Sequence, residues 1–288
     1  MPNKIVYLNG DYLPVEQATV SVLDRGFLFG DGIYEVIPVF GLKPLRIDEH
    51  LQRLQNSLSR ISLNNPLSNQ EWKQVFDQLL ERNPGEDRAI YLQITRGVYP
   101  VRDLKIQSDK RTTIFMMVLQ VGSVDMSQLE KGIETVTIND FRWHACDVKS
   151  ISLVANVMLR EQATQAGVVD AILVRDGYVT EGTASNFFMV KNGVLITPPI
   201  GQYLLSGITR DLVIELAKEN GIDCEIRSVA ETELESADEI WLTSSTREIA
   251  PVVRLNGKDV ADAKAGLVWK KMIHIYQDYK QTLRQAQS

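Results

Sequence analysis

The chain has 288 residues, 44% hydrophobic and 24% charged, with a mean hydropathy of -0.12. Such a make-up can bury a core, and it excludes a disordered, collagen-like or membrane-spanning protein. With 31 basic and 37 acidic side chains, a formal net charge of -6 and no Lys/Arg-rich block, the sequence has nothing to track the phosphates of a nucleic acid.

In chain order, Ile5 to Leu8, the Asn9-Gly10 pair and Tyr12-Leu13 read as a short hairpin, because Asn-Gly tolerates the positive φ angles of a two-residue turn. The glycine-rich segment DRGFLFGDG leads into the strand IYEVIPVF (Ile33 to Phe40). A helix is predicted from about Asp48, with His50, Arg53, Leu54 and Leu58 along it. Ser68 and Glu71 form a capping pattern ahead of Trp72, Val75, Phe76, Leu79 and Leu80, whose three- and four-residue spacing places them on one helix face. AIYLQIT and TIFMMVLQV are further strands, giving a sheet with helices against it.

The polar stretch Val121 to Gln128 (VGSVDMSQ) is the expected boundary, with a cut near Val124. It divides an N-terminal domain, residues 1–123, from a C-terminal domain, residues 124–288. The second domain is predicted to hold the strand ETVTINDFRW, a helix from about Leu153 to Ala166, and two hairpins at Asp176-Gly177 and Asn192-Gly193. A helix from Ile208 to about Asn220, ended by Gly221, comes next, then strands near Cys224 to Val229 and Glu239 to Thr243. In the amphipathic C-terminal helix Leu267, Val268, Met272, Ile275 and Tyr276 are read as core. Hairpins argue against a purely parallel sheet, so the expected fold class is α+β, in two domains.

Cys146 and Cys224 are too few for a disulfide framework or a four-thiolate zinc site, and the opening MPNKIVYLNG lacks the apolar run of a secretory signal. A reducing cytoplasm is the expectation. His50, His144 and His274 make no metal-binding spacing, so no metal is expected and histidine-based nucleophilic catalysis has few candidates.

The chemistry therefore rests on other residues. In Leu205-Ser206-Gly207-Ile208-Thr209-Arg210, backbone N–H groups and a hydroxyl meet at a helix start, which suits a phosphate. Taken singly, Ser206 is more simply explained as a helix cap. Thr243-Ser244-Ser245-Thr246 is a second hydroxyl cluster at a strand end, or else a plain polar turn. Lys149, in Cys146-Asp147-Val148-Lys149-Ser150, is placed between a strand and a helix. A desolvated amine there would deprotonate readily and form a Schiff base, whereas most lysines are surface charges. Glu181 lies in the small-residue run Val179 to Asn186, where a solvated turn carboxylate is the ordinary reading. Read together with Arg53, these residues make up what pyridoxal phosphate needs: an amine, a carboxylate for the pyridine nitrogen and a phosphate cup.

DRGFLFGDGIYEV, the arginine of HLQRL, CDVKS, VTEGTASNFF, SGITRD and TSSTREIAPV occur in the order and spacing of the fold-type-IV pyridoxal-phosphate enzymes. Over nearly the whole chain the sequence resembles the D-amino-acid transaminases among them. That resemblance implies a two-domain fold-type-IV architecture, with pyridoxal 5'-phosphate held by Lys149 in the C-terminal domain. Glu181 would face the pyridine nitrogen, while Arg53, the Ile208 N–H, Thr209 and Ser245 would hold the phosphate. Tyr34 would line the substrate pocket, and a homodimer acting on amino acids and 2-oxo acids is expected.

One motif departs from the family pattern. The arginine and histidine that clamp the substrate α-carboxylate, two residues apart after a T-R-G strand end, are replaced by Thr95-Arg96-Gly97-Val98-Tyr99-Pro100-Val101-Arg102-Asp103-Leu104. The arginine is displaced by one residue and the histidine position holds Asp103 or Leu104. A guanidinium pairs with a carboxylate from either register, so Arg102 is expected to bind the carboxylate without the histidine. Branched-chain L-amino-acid transaminase, (R)-amine transaminase and 4-amino-4-deoxychorismate lyase share the scaffold and stand as alternatives. A non-catalytic α+β binding module, with Lys149 and Glu181 as a surface ion pair, is the reading from outside enzymology.

Overall fold

Strand pairing in the computed structural model, which describes residues 4–107, 111–122 and 125–285, resolves the chain into two units. The first comprises Met1–Gly122, Val148–Ser152 and Leu283–Ser288; the second comprises Ser123–Asp147 and Leu153–Thr282. The expected cut at Val124 lies outside the described residues.

In the first unit β1 (Ile5–Leu8) and β2 (Asp11–Pro14) form the predicted hairpin. The segment DRGFLFGDG, for which no helix was expected, contains α1 (Arg25–Phe29). Asp24 caps it, accepting from the Gly26 N–H at 2.7 Å, and Gly30 ends it at φ 65°, the left-handed conformation that glycine adopts without a Cβ penalty. There follow β3 (Gly32–Phe40), β4 (Lys43–Pro44), α2 (Ile47–Arg60), α3 (Asn69–Glu81), β5 (Asp87–Thr95) and β6 (Thr113–Gln120). The six strands pair antiparallel in the order β2-β1-β6-β5-β3-β4.

The Ser68–Glu71 capping box forms on α3 as the sequence predicts. That helix buries Trp72, Phe76, Leu79 and Leu80 against β1 and β6, while α2 packs on β3. Burying such side chains contributes about 1.5–3 kcal/mol each. Unusually for an amphipathic helix, the inner face of α2 also buries His50, Arg53 and Ser57, and these polar positions mark the site.

The second unit opens with α4 (Met126–Glu130), capped by Asp125, in the stretch expected to be a plain polar linker. Next is β7 (Ile133–Asn139), shorter than the predicted strand: the chain leaves the sheet at Asp140, whose carboxylate is taken up by arginines. The order continues through α5 (Val154–Gln165), β8 (Asp170–Arg175), β9 (Tyr178–Gly182), β10 (Asn186–Lys191), β11 (Val194–Thr197), α6 (Ile208–Glu219), β12 (Cys224–Ile226), β13 (Glu239–Ser244), β14 (Glu248–Leu255), β15 (Lys258–Asp259) and α7 (Leu267–Gln285). Both predicted hairpins are present, with Asp176 and Asn192 at φ 51°. The sheet runs β12-β11-β10-β13-β14-β7-β8-β9, with β15 paired to β14. Three of its pairings are parallel, β11 with β12, β14 with β7 and β7 with β8, so the sheet is mixed and the unit α+β. Its core gathers Ile172, Phe187, Met189, Ile240, Leu242 and Val252.

Two sequence expectations need correction here. In α7 the buried apolar residues are Trp269, Met272, Ile273 and Tyr276, whereas Leu267 is 83% exposed; the buried face begins two residues after Leu267, at Trp269. The residues around Lys149 group with the first unit rather than the second because they bridge antiparallel to β3. Ile33 bridges Ser150, the Tyr34 N–H donates to the Lys149 carbonyl at 2.9 Å, and the Ile151 N–H donates to Gly32 at 3.1 Å.

Candidate active site

Backbone pairing with β3 decides the place of Lys149. Its amide N–H donates to Ser57 Oγ at 3.2 Å, and its Nζ stands 4.1 Å from the centroid of the Tyr34 ring. The predicted strand-to-helix junction is not what holds it: β7 ends ten residues earlier, and the segment is pinned by β3 and α2. Lys149 is half-buried, which departs from a plain surface charge.

Beneath Tyr34 on the same strand, Glu35 points into the inner face of α2. Arg53 holds both its oxygens, Nε to Oε1 at 2.8 Å and Nη2 to Oε2 at 2.7 Å, and His50 Nδ1 lies 2.8 Å from Oε2. Burial would raise the Glu35 pKa, but the Arg53 and His50 interactions overcome it and hold the carboxyl well below its ordinary range. Burial lowers His50, keeping it neutral despite Glu35. The Tyr91 ring stacks on Tyr34 at 5.9 Å, and its own hydroxyl is pushed up to about 12 by burial.

The T-R-G strand end is locked from below. Arg96 pairs with both oxygens of Asp31, at 2.8 and 3.0 Å, and donates to the carbonyls of Ile61 and Ser62. Arg25 pairs with Asp31 at 2.8 Å and donates to the carbonyls of Asp103 and Leu104. Arg102 itself is exposed, its guanidinium 4.9 Å from the Phe29 ring centroid. The Asp103 carboxylate accepts from the Lys105 N–H at 3.1 Å, turning back on its own loop.

In the second unit, Glu181 is buried near the end of β9. Its Oε1 accepts from Arg142 Nη1 at 2.6 Å, and its Oε2 from the Leu205 N–H at 3.1 Å and Asn186 Nδ2 at 3.2 Å. Burial raises the Glu181 pKa and Arg142 opposes that rise. Arg142 in turn holds both oxygens of Asp140 at 2.9 Å, and Asp140 also receives Arg175 and the Thr180 hydroxyl. Nearby Cys146 is an inert thiol, pushed up to about 11 by burial. Glu181 is thus neither a solvated turn carboxylate nor, with Arg142 as its partner, half of a surface ion pair.

Asn186 Nδ2 also donates to the Leu205 carbonyl at 2.8 Å, which sets the approach of the chain to α6. Gly207, not Ser206, is the N-cap, and no side chain caps the helix; the Ser206 hydroxyl donates to Asp211 at 3.3 Å instead. The first-turn N–H groups, including those of Ile208 and Thr209, lack intrahelical partners. Ser245 lies half-buried in the turn from β13 to β14, and Thr243 Oγ1 is buried with no hydrogen-bond partner among the described residues.

Sequence reasoning missed Glu35, Asp140, Arg142 and Asn186. The only trace of the first is its polar side chain within an otherwise apolar strand. Nothing in ETVTINDFRW announced that Asp140 and Arg142 turn inward. Among the described residues no group of histidine, cysteine and acidic side chains is arranged to hold a metal, and no helix is long and apolar enough to cross a membrane.

Comparison with known proteins places this geometry. The chain is 36% identical over 267 residues to a D-alanine aminotransferase from Bacillus licheniformis, covering 93% of this chain and 94% of that protein. Its fold matches the branched-chain amino acid aminotransferase from Escherichia coli, at a TM-score of 0.88, 25% identity and coverage of 96% and 93% of the two chains. It also matches a fold IV transaminase from Curtobacterium pusillum, at a TM-score of 0.80, 26% identity and coverage of 93% and 92%. The model of the class IV amino-transferase family matches residues 32–255, and the chain belongs to that family.

Proposed function

We propose that the protein transfers the amino group of a D-amino acid, such as D-alanine or D-glutamate, to a 2-oxo acid, with pyridoxal 5'-phosphate as its cofactor. The observation that carries this reading is the near-full-length likeness to a D-alanine aminotransferase, in a chain whose Lys149 amine is half-buried over Tyr34 and whose Glu181 is buried and held by Arg142.

The residues fit the cofactor. Gly207 leaves the start of α6 without a side-chain cap, and a Cβ there would lie 1.8 Å from Asn186 Oδ1; free amides at a helix start favour an anion. The orphaned Thr243 hydroxyl and half-buried Ser245 add oxygen donors. In this reading the Ile208 N–H, Thr209, Ser245 and Arg53 bind the phosphate, with Arg53 oriented by its fork on Glu35. Glu181 accepts from the protonated ring nitrogen, and Lys149 holds the cofactor through Nζ.

When bound, the cofactor supplies an aldehyde that takes up the amino group and a ring that draws off the electron pair of the broken α C–H bond. Lys149 Nζ, once released by the incoming substrate amine, would accept the substrate α-proton and later give it up. The Glu181 carboxyl, hydrogen-bonded by Arg142, would stabilise positive charge at the ring nitrogen. Tyr34 lines the substrate pocket, and Arg102 binds the substrate α-carboxylate. The proposal extends to a homodimer working in the cytoplasm, in keeping with two free cysteines.

The test is the visible spectrum of the holoprotein with D-alanine, D-glutamate, L-leucine or (R)-1-phenylethylamine and no acceptor. Loss of the visible band with D-amino acids alone is expected, together with its abolition in Lys149→Ala. A response only to L-leucine or to the amine would move the activity to a branched-chain or amine transaminase. A bound cofactor that answers to none of them would point to the lyase.

A further inference from the structure

The turn from β13 to β14 contains only Ser245, Thr246 and Arg247, so burial of apolar side chains cannot anchor it. Two ion pairs do so instead. Arg247 Nη1 reaches Asp170 Oδ2 at 2.8 Å; Asp170 is wholly buried, while the arginine side chain remains 39% exposed. On the other side Glu248, 3% exposed, pairs with Lys280 of α7, 1% exposed, and the Gln277 amide also donates to the Glu248 carboxylate. Glu248 stands at φ 58°, a conformation that disfavours a residue with a Cβ and persists where its surroundings impose it. The turn is thus gripped at its last residue, Arg247, and at the first residue of β14, Glu248.

Asp170 does more than hold Arg247. Its Oδ1 accepts from the Thr183 hydroxyl at 2.6 Å, two residues beyond Glu181, and Arg160 supplies a second guanidinium at 3.0 Å from Oδ2. One buried carboxylate therefore ties the end of β9, where Glu181 stands, to the turn that carries Ser245. We propose that Asp170 and Lys280 are positioning residues for the cofactor phosphate, fixing through Arg247 and Glu248 the turn that presents Ser245. This inference rests on the reading of Ser245 as a phosphate ligand.

The experiment compares the dissociation constants of pyridoxal 5'-phosphate and pyridoxal, which lacks the phosphate, for the apoprotein. The variants are Arg247→Gln, the double variant Glu248→Gln/Lys280→Met, and Ser245→Ala. Arg247→Gln leaves Asp170 paired with Arg160, and the double variant strands no charge, so both are built to fold; circular dichroism checks this. Each of the three is expected to weaken the phosphorylated form about tenfold, the scale of one lost hydrogen bond to a charged group, while pyridoxal binding stays unchanged. Equal weakening of both forms, or of neither, in the first two variants overturns the positioning role even if Ser245→Ala behaves as expected. An unchanged ratio in Ser245→Ala overturns the phosphate reading of Ser245, and this inference with it.

Discussion

Arg142 Nη1 donates to Glu181 Oε1 at 2.6 Å, while the same guanidinium grips both oxygens of Asp140. One side chain thus compensates two buried carboxylates. Removing one partner of a buried pair leaves an uncompensated charge, which costs about 3–5 kcal/mol. Arg142→Met is accordingly expected to lower the unfolding free energy by about that amount, with Asp140 partly rescued by Arg175. A urea midpoint equal to that of the wild type would show that the bridge carries no such load.

Gly207→Ala isolates a steric requirement. The backbone at Gly207, φ -78° and ψ 128°, suits alanine, so any effect comes from the Cβ, placed 1.8 Å from Asn186 Oδ1. Asn186 is buried and bonded to both Glu181 and Leu205, so it has nowhere to turn without breaking those bonds. A loss of about 1–3 kcal/mol in stability is expected, as for other overpacked sites, with weaker cofactor binding. Thermal melts of apo and holo forms read both effects.

Acid sensitivity follows from Glu35. Its folded-state pKa lies below the unfolded value, so its stabilisation is complete above about pH 4.3, the ordinary glutamate value. It is lost as the pH falls from there through the folded-state pKa. Glu35→Gln should lower stability at pH 7 and flatten the decline below about pH 4.3. Unfolding free energies measured from pH 3 to 7 check the slope, and parallel curves for wild type and variant would contradict it.

Arg102→Ala addresses the altered carboxylate clamp. Loss of a charge-assisted hydrogen bond of about 1.5–3 kcal/mol predicts KM values for D-amino acids raised about tenfold or more, with unchanged affinity for the cofactor. Normal KM values would remove Arg102 from the substrate site. Arg102→Lys should recover only part of the loss, since an ammonium does not form the planar two-point pair.

The sequence was legible wherever local chemistry acts alone. The Asn9-Gly10, Asp176-Gly177 and Asn192-Gly193 turns, the Ser68–Glu71 cap and the buried face of α3 follow from backbone sterics and side-chain periodicity over a few residues. Motif order is likewise what marks Lys149, Glu181 and Thr209 as residues of the proposed cofactor site. Where side chains compete for one position the reading slipped: Ser206 yielded the cap to Gly207, and Leu267 lay outside the buried face of α7.

Tertiary structure alone decided the partnerships. That Glu35 would receive Arg53 and His50, that Arg142 would bridge Asp140 and Glu181, and that Asp170 would tie Thr183 to Arg247 depend, apart from the neighbouring Asp140–Arg142 pair, on contacts between residues from 13 to 77 positions apart. Such pairs leave no local signature, because a charged residue in a strand or loop looks alike whether it meets water or a buried partner. Chain composition and motif order determined which chemical groups are present; burial and strand pairing determined which of them are desolvated, paired and held in place.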